Sequence, residues 1–169
     1  MKKMVIAVLL AAFIAEPAIA ASKNYYAGGK LGLNNINSAS SAAFGVLGGY
    51  MLDPDLAVEA AYIDLGSIKD KVVNDTVKFT VLEVGAVATF MVNRQYSVFA
   101  KLGVAKMSES GLGLPKINRI APTWGLGSHS NFRPTIVVRF SLDSYSFGDS
   151  FIRKRGNSMA YSISGLYKF

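Results

Sequence analysis

Six charged residues, Lys30, Glu59, Glu83, Lys101, Arg139 and Asp143, each sit inside a run of alternating apolar and polar residues, on the polar beat of the run. Strand side chains point alternately to opposite faces, so all six are aimed at one face while the aliphatic and aromatic residues take the other. If that face is enclosed, the charges must pair, because an unpaired charge away from water is costly. Three cations and two or three anions, the third being Asp143, can nearly neutralise one another. Three kinds of chemistry fit such a set. One is a static group of ion pairs that fills an interior and fixes strand register. Another is a gate in which the pairs exchange partners. The last is general acid–base work by Glu59 and Glu83, which needs their two environments to differ; cations on the same face would keep both carboxylates ionised. The expectation is an ion-paired interior with no catalytic residues and no metal site.

The elements that must carry these residues are strands. The alternation predicts them at about 24–33, 43–51, 56–65, 76–92, 96–107, 122–132 and 135–147. A terminal strand follows, with Tyr161, Ile163, Gly165, Tyr167 and Phe169 on one parity and Ser162, Ser164 and Lys168 on the other. Short turns are marked by Leu52-Asp53-Pro54-Asp55, Asn93-Arg94-Gln95 and Arg133-Pro134, where Pro presets φ and Asp or Asn can cap the backbone. The longer connections, at 34–42, 66–75, 108–121 and 148–158, are rich in polar residues and Gly. Eight strands with three short and four long connections place both chain ends at the short-turn end. A chain that ended on an unpaired aromatic strand would expose a sticky edge. Pairing the first strand with the last closes a barrel and removes both edges.

Composition points the same way. The chain has 169 residues, is 51% hydrophobic and carries a formal charge of +7. After its first residues it has no apolar run near the roughly 18 residues that a spanning helix requires. Lys2 and Lys3, the apolar run Val5 to Ala15, and Ala18-Ile19-Ala20 read as a signal peptide over residues 1–20 with an A-x-A cleavage site. Its removal takes away two cations and one anion, so a mature chain over residues 21–169 carries +6. Cysteine is absent, which excludes disulfides and thiolate metal sites. The fold class read from these features is all-β: an eight-stranded antiparallel up-and-down transmembrane β-barrel behind a cleavable signal peptide. A soluble exported lipid-binding barrel is the alternative, and it would turn the apolar parity inward and the charges out.

The sequence resembles the small OmpA-like and opacity-type outer-membrane barrels. The likeness is carried by the Tyr-x-Ile-x-Gly-x-Tyr-x-Phe terminus, by Ala57-Val58-Glu59-Ala60-Ala61-Tyr62-Ile63-Asp64-Leu65-Gly66, by Ala100-Lys101-Leu102-Gly103-Val104 and by Val138-Arg139-Phe140. It implies a bacterial outer-membrane location and assembly by the outer-membrane insertion machinery, with Tyr161, Ile163, Gly165, Tyr167 and Phe169 as the assembly signal. It also implies a structural or surface-interaction role, with a small porin as the alternative. Strand six departs from the pattern, since Ser128 and Ser130 share the parity of Trp124 and Leu126.

Two further groups could bear chemistry. His129 is the one histidine, and its neighbours Ser128 and Ser130 resemble the His and Ser of outer-membrane lipid A deacylases; those enzymes place the pair two residues apart on one face, whereas here the serines flank the histidine and point the other way. Arg153, Lys154 and Arg155, with Lys116 and Arg119 in the preceding long connection, form basic loops. Clustered Arg and Lys supply charge-assisted bonds to phosphate or sulfate, so the expected partners are lipopolysaccharide and a host or surface polyanion. No cofactor, no nucleic acid and a monomeric state complete the reading.

Overall fold

The computed structural model describes residues 24–36, 39–70, 75–111, 117–148 and 156–169. Eight strands follow one another: β1 (Tyr25–Ile36), β2 (Ala39–Asp53), β3 (Leu56–Asp70), β4 (Asp75–Met91), β5 (Tyr96–Ser110), β6 (Ile117–Arg133), β7 (Ile136–Gly148) and β8 (Gly156–Lys168). Each pairs antiparallel with the next, and β8 pairs with β1 from Tyr26↔Lys168 to Ile36↔Ser158, closing the barrel. The terminal residue joins the seam as well, its N–H donating to the Tyr25 carbonyl at 3.0 Å. The signal peptide read over residues 1–20 lies outside the described residues.

Every strand runs beyond its sequence-predicted end on the long-connection side. Residues 34–42, expected as a loop, pair as far as Ile36↔Ala39. Within 66–75 the ladder continues to Asp70↔Asp75. Within 108–121, β5 runs to Ser110 and β6 begins at Ile117, so Arg119 lies on a strand. Within 148–158, β8 begins at Gly156. The physical reason is that the polar switch marks where a strand leaves hydrocarbon, and hydrogen-bonded pairs carry on into water.

The ladder also fixes the tilt. Following paired residues once round from Tyr26, through Gly49, Glu59, Gly85, Gly103, Thr123, Tyr145 and Ser158, returns to Ile36, ten residues beyond the start. With about 3.3 Å per residue and about 4.8 Å between strands, that stagger over eight strands inclines them by about 40° to the axis. This is the tilt of a spanning barrel of this size.

The apolar parity faces out. Leu102 is 70% exposed while its neighbour Lys101 is 4% exposed, and the same contrast separates Leu82 from Glu83 and Phe140 from Arg139. An outward belt of Leu31, Val46, Leu82, Leu102, Val104 and Phe140 is thus turned to the surroundings, and the soluble-barrel alternative fails because the charges are inside. At the short-turn end the Tyr25 and Tyr50 rings meet at 4.8 Å, tilted by 50°, and Tyr167 meets Phe169 edge-on at 5.2 Å. Ser128 and Ser130 keep the outward parity of Trp124. The β5–β6 register is continuous from Tyr96↔Ser130 to Glu109↔Ile117, and the β6–β7 register shifts between Asn131 and Arg133.

Local chemistry shapes the turns. Asn93 Oδ1 accepts from the N–H groups of Gln95 and Tyr96 at 2.9 and 2.8 Å, capping the second turn. Near the other end of β3 a bulge places Gly66 at φ 83°, and Asp64 Oδ1 accepts its N–H at 2.9 Å while Asp64 Oδ2 pairs with Lys78 at 2.7 Å. A residue with a Cβ is strained at that φ.

Candidate functional site in the barrel lumen

An eight-stranded barrel is just wide enough for side chains to fill it, and the six charged residues meet inside. Asp143 on β7 takes two cations: Lys30 Nζ from β1 at 2.6 Å on Oδ2, and Lys101 Nζ from β5 at 2.8 Å on Oδ1. Lys101 also reaches Glu83 Oε2 on β4 at 3.0 Å. Glu83 accepts the Thr123 hydroxyl at 2.8 Å and the Tyr145 hydroxyl at 3.4 Å, and Ser141 donates to Asp143 at 3.0 Å. A Cβ at Gly125 would run into Asp143 Oδ1 and Lys101 Cε, so this glycine makes room for the pair.

The second cluster lies nearer the short turns. Arg139 Nη1 on β7 donates to Glu59 Oε2 on β3 at 2.5 Å, and Glu59 also accepts the Tyr26 hydroxyl at 2.9 Å. The guanidinium lies between two rings, 4.9 Å from the Phe99 centroid and 5.7 Å from that of Tyr26. All six charged residues are at most 6% exposed. Three cations meet three anions within these two clusters.

Sequence reasoning missed the layer above. On the long-connection side of the charges the inward residues are Ile63 and Leu65 of β3, Val77, Phe79 and Val81 of β4, and Ala105 and Met107 of β5, each no more than 2% exposed. They form a mostly apolar stopper over the ion pairs, with the buried Asn34, Glu109 and Ser158 at its side. The signal was present in Val77-Lys78-Phe79-Thr80-Val81, where the apolar parity is the inward one, opposite to Leu82 and Val84 further along the same strand. Beyond the bilayer the outside of a barrel is wet and its inside can be dry, so the hydrophobic parity inverts.

His129 faces inward at the short-turn end, stacked on Phe99 with ring centroids 4.7 Å apart. Arg139 Nε donates to its Nε2 at 2.8 Å. A guanidinium has only donors, so that ring nitrogen is unprotonated and the hydrogen of the neutral imidazole sits on the other one. Ser97 is its cross-strand partner, yet the two make no hydrogen bond. With its lone pair already engaged, the imidazole has no acceptor left to activate a serine. Among the described residues no group of His, Cys, Asp and Glu is arranged to hold a metal. Arg153, Lys154, Arg155 and Lys116 lie outside the described residues. The terminal residues Tyr161, Ile163, Gly165 and Tyr167 form the outward face of β8, with Phe169 beside Tyr167.

The family model of the outer membrane protein beta-barrel domain matches residues 5–169. The chain belongs to that family. As a member of the outer-membrane β-barrel family it resides in the bacterial outer membrane, and its fold recurs among solved barrels. The Neisserial surface protein A is similar at 17% identity and a TM-score of 0.68, over 88% of this chain and 98% of that one. The N-terminal β-barrel domain of Pseudomonas aeruginosa OprF is similar at 15% identity and a TM-score of 0.60, over 85% and 97%. Ail, the attachment invasion locus protein of Yersinia pestis, solved with the heparin analogue sucrose octasulfate, is similar at 16% identity and a TM-score of 0.55, over 86% and 97%. No curated protein matches the sequence.

Proposed function

We propose that this barrel is a non-conducting, non-enzymatic outer-membrane protein with a structural and surface-interaction role. The observation that carries this reading is the stacking of two seals along one lumen: the ion-paired layer around Asp143 and Lys101, and the apolar layer of Ile63, Phe79, Val81 and Met107 above it. An ion crossing the barrel would have to part buried charges and then pass a tightly filled, mostly apolar layer. Recording across planar bilayers tests this. Purified barrel is expected to give no stepwise current, and reproducible single-channel steps from the folded protein would overturn the plug.

A small porin is the second reading, and it rests on Lys101, which already reaches both Glu83 and Asp143 and can trade one for the other. The apolar layer stands against it, since partner exchange leaves that layer in place. Catalysis is set aside because Glu59, Glu83 and Asp143 are each matched to a cation and the imidazole lone pair is taken by Arg139.

Residues 1–20 act as the cleaved leader, and the aromatic end of β8 is the signal read by the insertion machinery. The barrel works as a monomer embedded among phospholipid and lipopolysaccharide. Arg153, Lys154 and Arg155 provide a surface for a sulfated or phosphorylated polyanion, a reading supported by the similar fold of Ail, whose structure holds a heparin analogue. Salt-sensitive retention on heparin that disappears when residues 153–155 are neutralised is the expected result, and unchanged retention would remove this part.

A further inference from the structure

On the short-turn side of Arg139 the lumen widens into a cavity of about 120 Å³, lined by His129, Arg139, Ser97, Thr89 and Lys168. The space is large enough for several waters or one small organic ion. Its inner wall carries Arg139, His129 and Ser97, with the Asn131 amide and the Thr89 hydroxyl beside them, all of them able to donate. Arg139 engages Nε2 of His129, which leaves an N–H on the other ring nitrogen, and that N–H has no acceptor among the described residues. The Ser97 hydroxyl is 4% exposed and likewise makes no hydrogen bond. Lys168, on β8, is only partly exposed, and its ammonium forms no ion pair among the described residues. Among the described residues the nearby buried acid Glu59 is taken by Arg139 and Tyr26. Asp53 and Asp55 line the mouth, but both are exposed and their charge is screened by water and salt.

A half-enclosed space with an ammonium, an imidazole N–H and a buried hydroxyl left without partners among the described residues, beside the neutral Asn131 and Thr89, offers the ammonium no buried anion that is not already engaged. We propose that this vestibule is a binding site for a small carboxylate that enters from the periplasmic side, its oxygens meeting Lys168, the His129 N–H and Ser97. The charge-assisted bond to the ammonium gives most of the affinity, and the two neutral donors orient the ligand. The site is separate from the plug, since none of its three donors takes part in the ion pairs above.

His129 is the single histidine, so the folded full chain in lipid nanodiscs, labelled only at histidine, gives one imidazole signal in the nuclear magnetic resonance spectrum. Sodium acetate is the probe, titrated against sodium chloride at constant ionic strength. The expected result is a saturable shift of the imidazole resonances, weakened at least tenfold by Lys168→Gln and retained by Lys168→Arg. Ser97→Ala leaves the terminal strand untouched, and it is expected to weaken binding at least threefold. A shift that fails to saturate in the wild-type barrel, or saturation unchanged in both Lys168→Gln and Ser97→Ala, overturns the site. Conductance plays no part in the readout, so the outcome is distinct from that of the plug.

Discussion

The Lys101 ammonium stands between two carboxylates from different strands, 3.0 Å from Glu83 Oε2 and 2.8 Å from Asp143 Oδ1. Glu83 is on the neighbouring β4, but Asp143 is on β7, two strands away. Lys30 on β1 reaches the same Asp143, and Arg139 on β7 reaches Glu59 on β3. These pairs act as cross-braces through the lumen, where backbone ladders tie only adjacent strands. A slip of one residue in any of these strands would turn its charge to the lipid, so the pairs also specify register.

Lys101→Met keeps the length of the side chain and removes the shared cation. Glu83 then has only hydroxyl donors, and breaking a buried pair from one side costs about 3–5 kcal/mol. The unfolding midpoint in detergent, read from the mobility difference between boiled and unboiled protein, is expected to fall. Adding Glu83→Gln should recover part of the loss, because the uncompensated charge is then gone. A single variant as stable as the parent would show that the brace contributes nothing.

At Arg139 the distinction is between charge and shape. The guanidinium donates to Glu59 and His129 at once and packs between Phe99 and Tyr26. Lysine supplies the charge but neither the fork nor the flat stacking surface. Arg139→Ala is therefore expected to lower the midpoint strongly and Arg139→Lys to recover only part of it. Full recovery by lysine would reduce the site to a simple charge pair.

How much of this could be read beforehand depends on what the residues respond to. The strand count, the closure between β1 and β8 and the inward parity of Lys30, Glu59, Glu83, Lys101, Arg139 and Asp143 were legible, because alternation against lipid is a strong signal. The partner choices were not. Asp143 rather than Glu59 takes Lys30, and that follows from a ten-residue stagger that no single strand encodes. The strand ends were misjudged where polar residues such as Asn34, Ser41, Ser67 and Asn118 read as loop although the ladder continues through them, and the apolar layer was missed where Lys78 and Thr80 face water outside and Phe79 faces inward. His129 was judged only against its sequence neighbours Ser128 and Ser130, whereas its contacts, Phe99 and Arg139, come from the strands on either side.

Two glycines test the inside–outside assignment. A Cβ at Gly49 would fall on the ring of Tyr26, inside the lumen, while a Cβ at Gly165 meets nothing. Gly49→Val is expected to displace Tyr26 from Glu59 and to cost about 1–3 kcal/mol by overpacking. Gly165→Val should fold as the parent does, with stability changed by less than about 0.5 kcal/mol, as for a substitution away from packed features. Comparing yields of heat-modifiable protein for the two variants decides the matter, and equal damage from both would contradict the outward placement of Gly165.

Removal of Phe169 separates assembly from stability. Its N–H ties the chain end to Tyr25, and its ring packs edge-on against Tyr167 at the short-turn end. Losing one exposed seam bond and one aromatic contact costs about 1–3 kcal/mol, too little to unfold a barrel braced through its lumen. If the aromatic terminus is what the insertion machinery reads, the truncated chain should accumulate outside the outer membrane in cells and yet refold in detergent to a midpoint close to that of the full chain. Comparing the outer-membrane fraction with the refolding midpoint gives the answer. Normal insertion of the truncated chain would show that the terminus serves the seam alone.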